Sequence, residues 1–296
     1  MTSPISFEAM SRSLLRDSID MHIHSGPDIF PRSVTSVMAA EQARDAGMRA
    51  IVLKSHSTDT AARAELAQEL TGMSVTGGVA LNYPVGGLNP YAVLESARQG
   101  GRVVWLPTLG ARHFLAHAGN VPILQEKSPL ESTGLVVTDE TGNLLPEVED
   151  ILRLVKEYDL ILCSGHVSPS DAITTFKRAN ELGIKRLVVT HPHAKFVGAE
   201  VEDMKELAAL GAMNEMHYAF VTQVIHPPQT FEYIAEVIRG VGVQHCYLAT
   251  DGGQRVNPVP VEAFRLFMVG MLEQGFSEDE VRYMTAEAPA KILLGQ

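Results

Sequence analysis

Short apolar runs recur along the chain, and between them the apolar positions fall at helical rather than alternating spacing. Eight runs have the composition of β-strands: SIDMHIH (18–24), RAIVLKS (49–55), MSVTGGVAL (73–81), GRVVWLPT (101–108), DLILCSGH (159–166), KRLVVTH (185–191), GAMNEMHY (211–218) and HCYLATD (245–251). Most are about 25–35 residues apart, the length of one strand–helix unit with its loops. Several are apolar throughout (AIVL, VVWL, LILC, LVV), as parallel strands covered on both faces are. The segments between them carry helix signals. SVMAAEQARDAGM starts at Ser36 and stops at Gly47, and VSPSDAITTFKRANELG offers Ser170 as a cap and Gly183 as a stop. This alternation predicts an α/β chain folded as a (β/α)8 TIM barrel. No G-x-G-x-x-G follows an early strand, which counts against a dinucleotide-binding open sheet.

The spacing breaks once, after the fourth strand, where residues 109–146 form an insertion. Within it LVVTDETGNLL places two short β-rich runs around a Thr-Gly-Asn turn and predicts a hairpin beside the barrel mouth. No linker or low-complexity tract divides the chain, so residues 1–296 are expected to form one barrel domain.

Composition narrows the function more than the fold. The 296 residues are 45% hydrophobic and 20% charged, as in an ordinary globular protein, with a net charge of −11. That acidity disfavours nucleic acid and anionic membrane surfaces, leaving a small molecule as the expected substrate. The two cysteines, Cys163 and Cys246, sit in apolar stretches and are expected to be buried free thiols. The first twenty residues show no basic start followed by an apolar run, so a cytoplasmic location is expected. A homo-oligomer is compatible with the sequence, the insertion offering surface for contact between copies.

The polar residues at strand ends carry the chemistry. Asp20, His22 and His24 lie at i, i+2 and i+4 of the first run, so strict alternation puts them on one face. Two imidazoles one pleat apart can share a cation, and a nearby carboxylate can orient one ring. His166 ends the fifth run, His191 the sixth and Asp251 the eighth. Each alone reads equally well as a turn or loop residue. Together at four strand ends they point to a metal site at the C-terminal face of a barrel.

This order of H-x-H, His, His and Asp resembles the amidohydrolase superfamily. The ending MTAEAPAKILLG is similar to the helix with which many of its members close the barrel. The resemblance implies a metal-site set of His22, His24, His166, His191 and Asp251, with Asp251 also moving a proton. Two-metal members commonly carry a carboxylated Lys, Glu or Cys at the end of the fourth strand. Here that end is Trp105, Pro107 and Thr108, so the chain looks closer to the branch with one metal, freeing His191 to act catalytically. The cofactor expected is a divalent metal, Zn ahead of Mn or Fe, one ion rather than two.

Four further residues are candidate substrate contacts: Lys54 and His56 after the second strand, His193 in THPHAK, and Arg32 in GPDIFPRS. Lys54 would bind an anionic substrate group or, if carboxylated, bridge metals. GMRAIVLKSHSTDT also resembles the second strand of polymerase-and-histidinol-phosphatase-type phosphoesterases, except that Lys54 stands where their metal-binding Asp would be. Glu215 and His217 on the seventh run fit either the core or the mouth, and are left outside the expected site. The resemblance implies a hydrolase that activates water to cleave an amide, cyclic amide or lactone. The alternatives are a single-metal decarboxylase or hydratase of a small carboxylated compound, a phosphoesterase, and a non-catalytic metal-binding barrel.

Overall fold

The computed structural model describes residues 6–118 and 133–295. Every apolar run forms a strand: β1 (Ile19–His24), β2 (Ala50–Lys54), β3 (Val75–Thr76), β4 (Gly78–Ala80), β5 (Val103–Trp105), β6 (Ile161–Cys163), β7 (Leu187–Val189), β8 (Ala212–His217) and β9 (Cys246–Ala249). The third run is cut into β3 and β4 at Gly77, where a Cβ would fall on the Thr60 backbone. Nine segments therefore fill eight barrel positions.

All the paired neighbours are parallel, in the orders β1-β2-β3 and β4 to β9. Two seams join these sheets. Thr60 accepts a bond from Gly78 N at 2.9 Å, and its hydroxyl lies 2.8 Å from the Leu53 carbonyl, tying β2 to β4. On the other side His24 N donates to Gly252 O at 2.8 Å beside a parallel Ile23–Gly252 bridge. Asp20 reinforces that seam, accepting from Thr250 N at 3.0 Å and Thr250 Oγ1 at 2.6 Å.

Alternation sorts the strand residues. Ala50, Val52, Val103, Trp105, Ile161, Cys163, Tyr247 and Ala249 meet inside the barrel. Ile51, Leu53, Val104, Leu162, Cys246 and Leu248 pack outward under the helices. Both cysteines are buried free thiols. The terminal helix Ala288–Leu294 joins the inner cluster, and Arg186, just before β7, donates to its Ile292 and Leu293 carbonyls. It closes the end where the strands begin, leaving the C-terminal ends open for chemistry.

Two local expectations change. The helix Pro169–Glu181 is capped by Ser168, which accepts from Asp171 N at 3.1 Å, and not by Ser170. Pro169 takes the first helical position, where its missing N–H costs nothing, so the cap must precede it. In the insertion, residues 119–132 lie outside the described residues. In the rest, LVVTDETGNLL forms one antiparallel bridge, Thr138–Leu144, around a turn held by the Asp139 carboxylate. Among the described residues no helix is long and apolar enough to cross a membrane.

Candidate metal centre

A β-bulge shapes the site before any side chain does. Between Asp20 and Ile23 β1 advances three residues while β2 advances only two, from Ile51 to Leu53. The extra residue breaks strict alternation. Met21 turns into the core and Asp20 into the β1–β9 seam, while His22 and His24 reach the mouth. Asp20 is thus a tether, not the carboxylate that orients a ring. Burial pushes its carboxyl up to about 7, against the pull of its bonds from Thr250 and His22.

Asp251 is the hub. One oxygen lies 3.0 Å from His24 Nε2 and 3.6 Å from His22 Nε2, and the other 3.5 Å from His217 Nδ1. Its side chain is 13% exposed, against 2% or less for these rings. Among the described residues three overlapping groups have donor atoms close enough to hold one ion: His22, His24, Asp251; His191, His217, Asp251; and His22, Glu215, His217. Burial alone would raise the Asp251 carboxyl, but the His22, His24 and His217 rings outweigh it and hold it well below the usual range.

Beneath the hub Glu215 supplies the orienting carboxylate. Its Oε2 meets His22 Nδ1 at 3.1 Å and His217 Nε2 at 3.0 Å, and its Oε1 accepts from Tyr247 OH at 2.8 Å. With His22 Nδ1 so engaged, Nε2 is left to face Asp251. Neither contact of His217 has hydrogen-bond geometry, so both of its buried nitrogens remain without a hydrogen-bond partner. Burial pulls the His217 ring down, but Glu215 and Asp251 together push it up to about 9. His22 goes the other way, to about 4, through burial and then the Lys54 charge.

Six histidines from five barrel positions form a closed ring. In the order His22, His24, His56, His166, His191, His217 and back, successive ring centroids are 4.5 to 6.0 Å apart. His56 stacks on His24 and is held through Nδ1 by Thr108 Oγ1 at 2.9 Å, which Asn82 fixes in turn. Both His166 nitrogens and His191 Nδ1 are buried without partners. Phe114, Phe196 and Phe220 wall the His166–His191 side. Burial holds His24, His56, His166 and His191 well below the ordinary histidine value, so they are neutral and able to ligate.

The expected residues therefore divide. His22, His24, His191 and Asp251 converge. His166 is in the ring but outside the groups of close donor atoms. His193 lies behind the ring, 6.4 Å from His217 by centroid, with its carbonyl taken by Gln229. Arg32 is buried but committed to Asp28, its Nε and Nη2 lying 3.2 and 3.0 Å from one carboxylate oxygen. Lys54 points into the mouth 5.3 Å from the Trp105 ring centroid, 1% exposed and without a hydrogen-bond partner. Such a ring contact contributes about 0.5–2 kcal/mol, less than the several kcal/mol needed to strip an ammonium of water. Burial accordingly lowers the Lys54 pKa.

Glu215 and His217 were missed. Their E-x-H spacing on β8 repeats the H-x-H of β1, and Asn214, between them and an earlier Met213, faces out to the Met204 and His245 carbonyls. That alternation held the signal.

Buried, unpartnered nitrogens around a shared carboxylate, with no thiolate in reach because burial keeps Cys163 protonated, fit a divalent first-row cation. A cavity of about 560 Å³ lies elsewhere, between Arg112, His117, Thr138 and Asp171. None of its lining side chains has a buried unpartnered atom, so the chemistry belongs at the mouth.

A family described only as of unknown function, DUF6282, matches residues 17–215. No curated protein is similar to the chain. Among solved structures it is similar to an amidohydrolase from Pseudomonas aeruginosa, at 14% identity and a TM-score of 0.60 over 96% of this chain and 98% of that one. It is also similar to the probable dipeptidase PvdM from the same organism (11%, 0.63, 98% of each chain). A PTE-like lactonase variant from Deinococcus radiodurans follows (12%, 0.57, 94% of this chain and 96% of that one). At these identities the likeness establishes the fold, the barrel that the resemblance in the sequence implied.

Proposed function

The chain belongs to the DUF6282 family, and from the geometry of its barrel mouth we propose that it is a metal-dependent hydrolase of the amidohydrolase type. Its substrate is a small molecule with an amide, cyclic amide or lactone bond. The observation that carries this reading is Asp251, a partly exposed carboxylate shared by His22, His24 and His217. The hydrolase names of the neighbouring structures support it.

His22, His24 and Asp251 would hold the cation, with His217 helping from the far side of Asp251. Zn is favoured by the nitrogen-rich donors, and a single ion by Trp105, which ends β5 where a bridging acid would stand. When bound, such an ion polarises the scissile carbonyl and acidifies water. Asp251, the donor most open to solvent, receives the proton of the attacking water and returns it to the leaving group. His191 faces the same space and steadies charge developing on the carbonyl oxygen. Glu215 keeps the His22 ring in one tautomer throughout. The Phe114, Phe196 and Phe220 wall keeps bulk water out.

The test is a panel of amides, cyclic amides and lactones assayed with the Zn-loaded protein and with Asp251→Asn. We expect turnover on at least one class and a loss of about 10²–10⁴-fold in the variant with metal retained. An Asp251→Asn protein as active as wild type would sink this mechanism.

A further inference from the structure

We propose that Lys54 seats a carboxylate of the substrate, and that the substrate is a small carboxylate on an apolar body. The proposal rests on the mouth being the active site and adds the class of molecule that enters it.

Among the described residues, Arg32, Glu215 and Asp251 at the mouth have partners in contact, and Lys54 does not. Arg32 is matched by Asp28. Glu215 is shared by His22, His217 and Tyr247, and Asp251 by three histidines. Lys54 has neither a hydrogen-bond partner nor, among the described residues, an ion pair. The two candidate cations of the sequence are thereby told apart: Arg32 is held by Asp28 in direct contact, whereas Asp251 and Glu215 act on Lys54 only from a distance and leave its ammonium without an acceptor. A buried ammonium with no acceptor in contact is costly, and a substrate carboxylate supplies both a close charge and the acceptor atoms.

Its position fits a substrate contact. Lys54 ends β2 and pairs in register with His24, so it stands level with the metal-binding rings. It follows Ala50 and Val52 in the inward alternation, and its ammonium approaches the Trp105 face. Its charge also reaches His22, His56, His166 and His191, depressing all four. The body attached to such a carboxylate would meet the aromatic wall of Phe114, Phe196 and Phe220, which offers few polar groups.

Benzoate and benzamide are the probes, alike in shape and different in charge. Their binding is measured calorimetrically to wild type and Lys54→Met, each with and without Zn. We expect wild type to prefer benzoate by about 10–100-fold, as a charge-assisted hydrogen bond implies. The preference should persist without Zn and vanish in Lys54→Met, whose metal content and melting temperature are read alongside. Equal affinities in wild type overturn the proposal without reference to any variant. A preference that survives Lys54→Met, or that needs Zn, also overturns it, because the cation and not Lys54 then takes the carboxylate. So does a mass gain of one CO2 at Lys54, since the lysine would then itself be the anion. Turnover of neutral lactones with no benzoate preference would remove this proposal and leave the hydrolase. Lys54-dependent benzoate binding without turnover of any ester or amide would do the reverse.

Discussion

His191 and Asp251 adopt φ values of 30° and 47°, in the left-handed region that residues with a Cβ seldom enter. Asp and His enter it more readily than most residues, yet each does so at a cost of about 1–3 kcal/mol. Both residues lie two positions beyond a strand end, where the turn swings their side chains back over the mouth. Gly253 allows the closest approach there. Its φ is +109°, and a Cβ would fall on the His24 carbonyl oxygen. Gly253→Ala is therefore expected to cost about 2–4 kcal/mol and to weaken metal binding by displacing His24. Thermal melting and a Zn titration check both effects. At this scale His22, His24, His191 and Asp251 were legible in the sequence, because strand ends can be found from apolar runs alone. Arg32 was not, because nothing in GPDIFPRS shows that Asp28, four residues earlier, already claims the guanidinium.

The strand β8 shows what one element contributes beyond its ligands. Met213, Glu215 and His217 face inward, and Tyr247 on neighbouring β9 anchors the Glu215 carboxylate that braces His22. Glu215→Gln is expected to weaken metal affinity by about 10–100-fold while the fold survives, with a smaller loss for Tyr247→Phe. Competition with a chromophoric chelator measures both. The strand is legible in GAMNEMHY, but Glu215 and His217 stayed outside the expected site because the run alone does not reveal whether their face is the core or the mouth. The bulge in β1 was hidden for a related reason. It exists only relative to β2, so alternation along IDMHIH alone put Asp20 beside the metal rather than in the seam. Helix positions were easier to read, since caps and stops are local, although Pro169 moved one cap to Ser168.

Across the whole molecule the ring of histidines draws on β1 and on the loops after β2, β6 and β7, with β8 completing it, so the site exists only in the closed barrel. The seam at Thr250 is part of that closure. Thr250→Val removes the hydroxyl donor to a buried carboxylate and is expected to lower stability by about 1–3 kcal/mol, read by denaturant unfolding of the metal-free protein. A cation that binds only the folded chain should add about 4 kcal/mol at a thousandfold excess over its dissociation constant. Chelation should then lower the melting temperature of wild type and leave a His22→Ala/His24→Ala protein unchanged.

The central claim is that the mouth holds its cation through His22, His24 and Asp251 with help from His217, and that His166 stands aside. Elemental analysis of purified wild type, His24→Ala, His217→Ala and His166→Ala, each incubated with Zn and desalted, tests it directly. The expected result is about one equivalent per chain in wild type and His166→Ala, a marked loss in His217→Ala and almost none in His24→Ala. Metal retained in His24→Ala and His217→Ala but lost in His166→Ala would contradict the account.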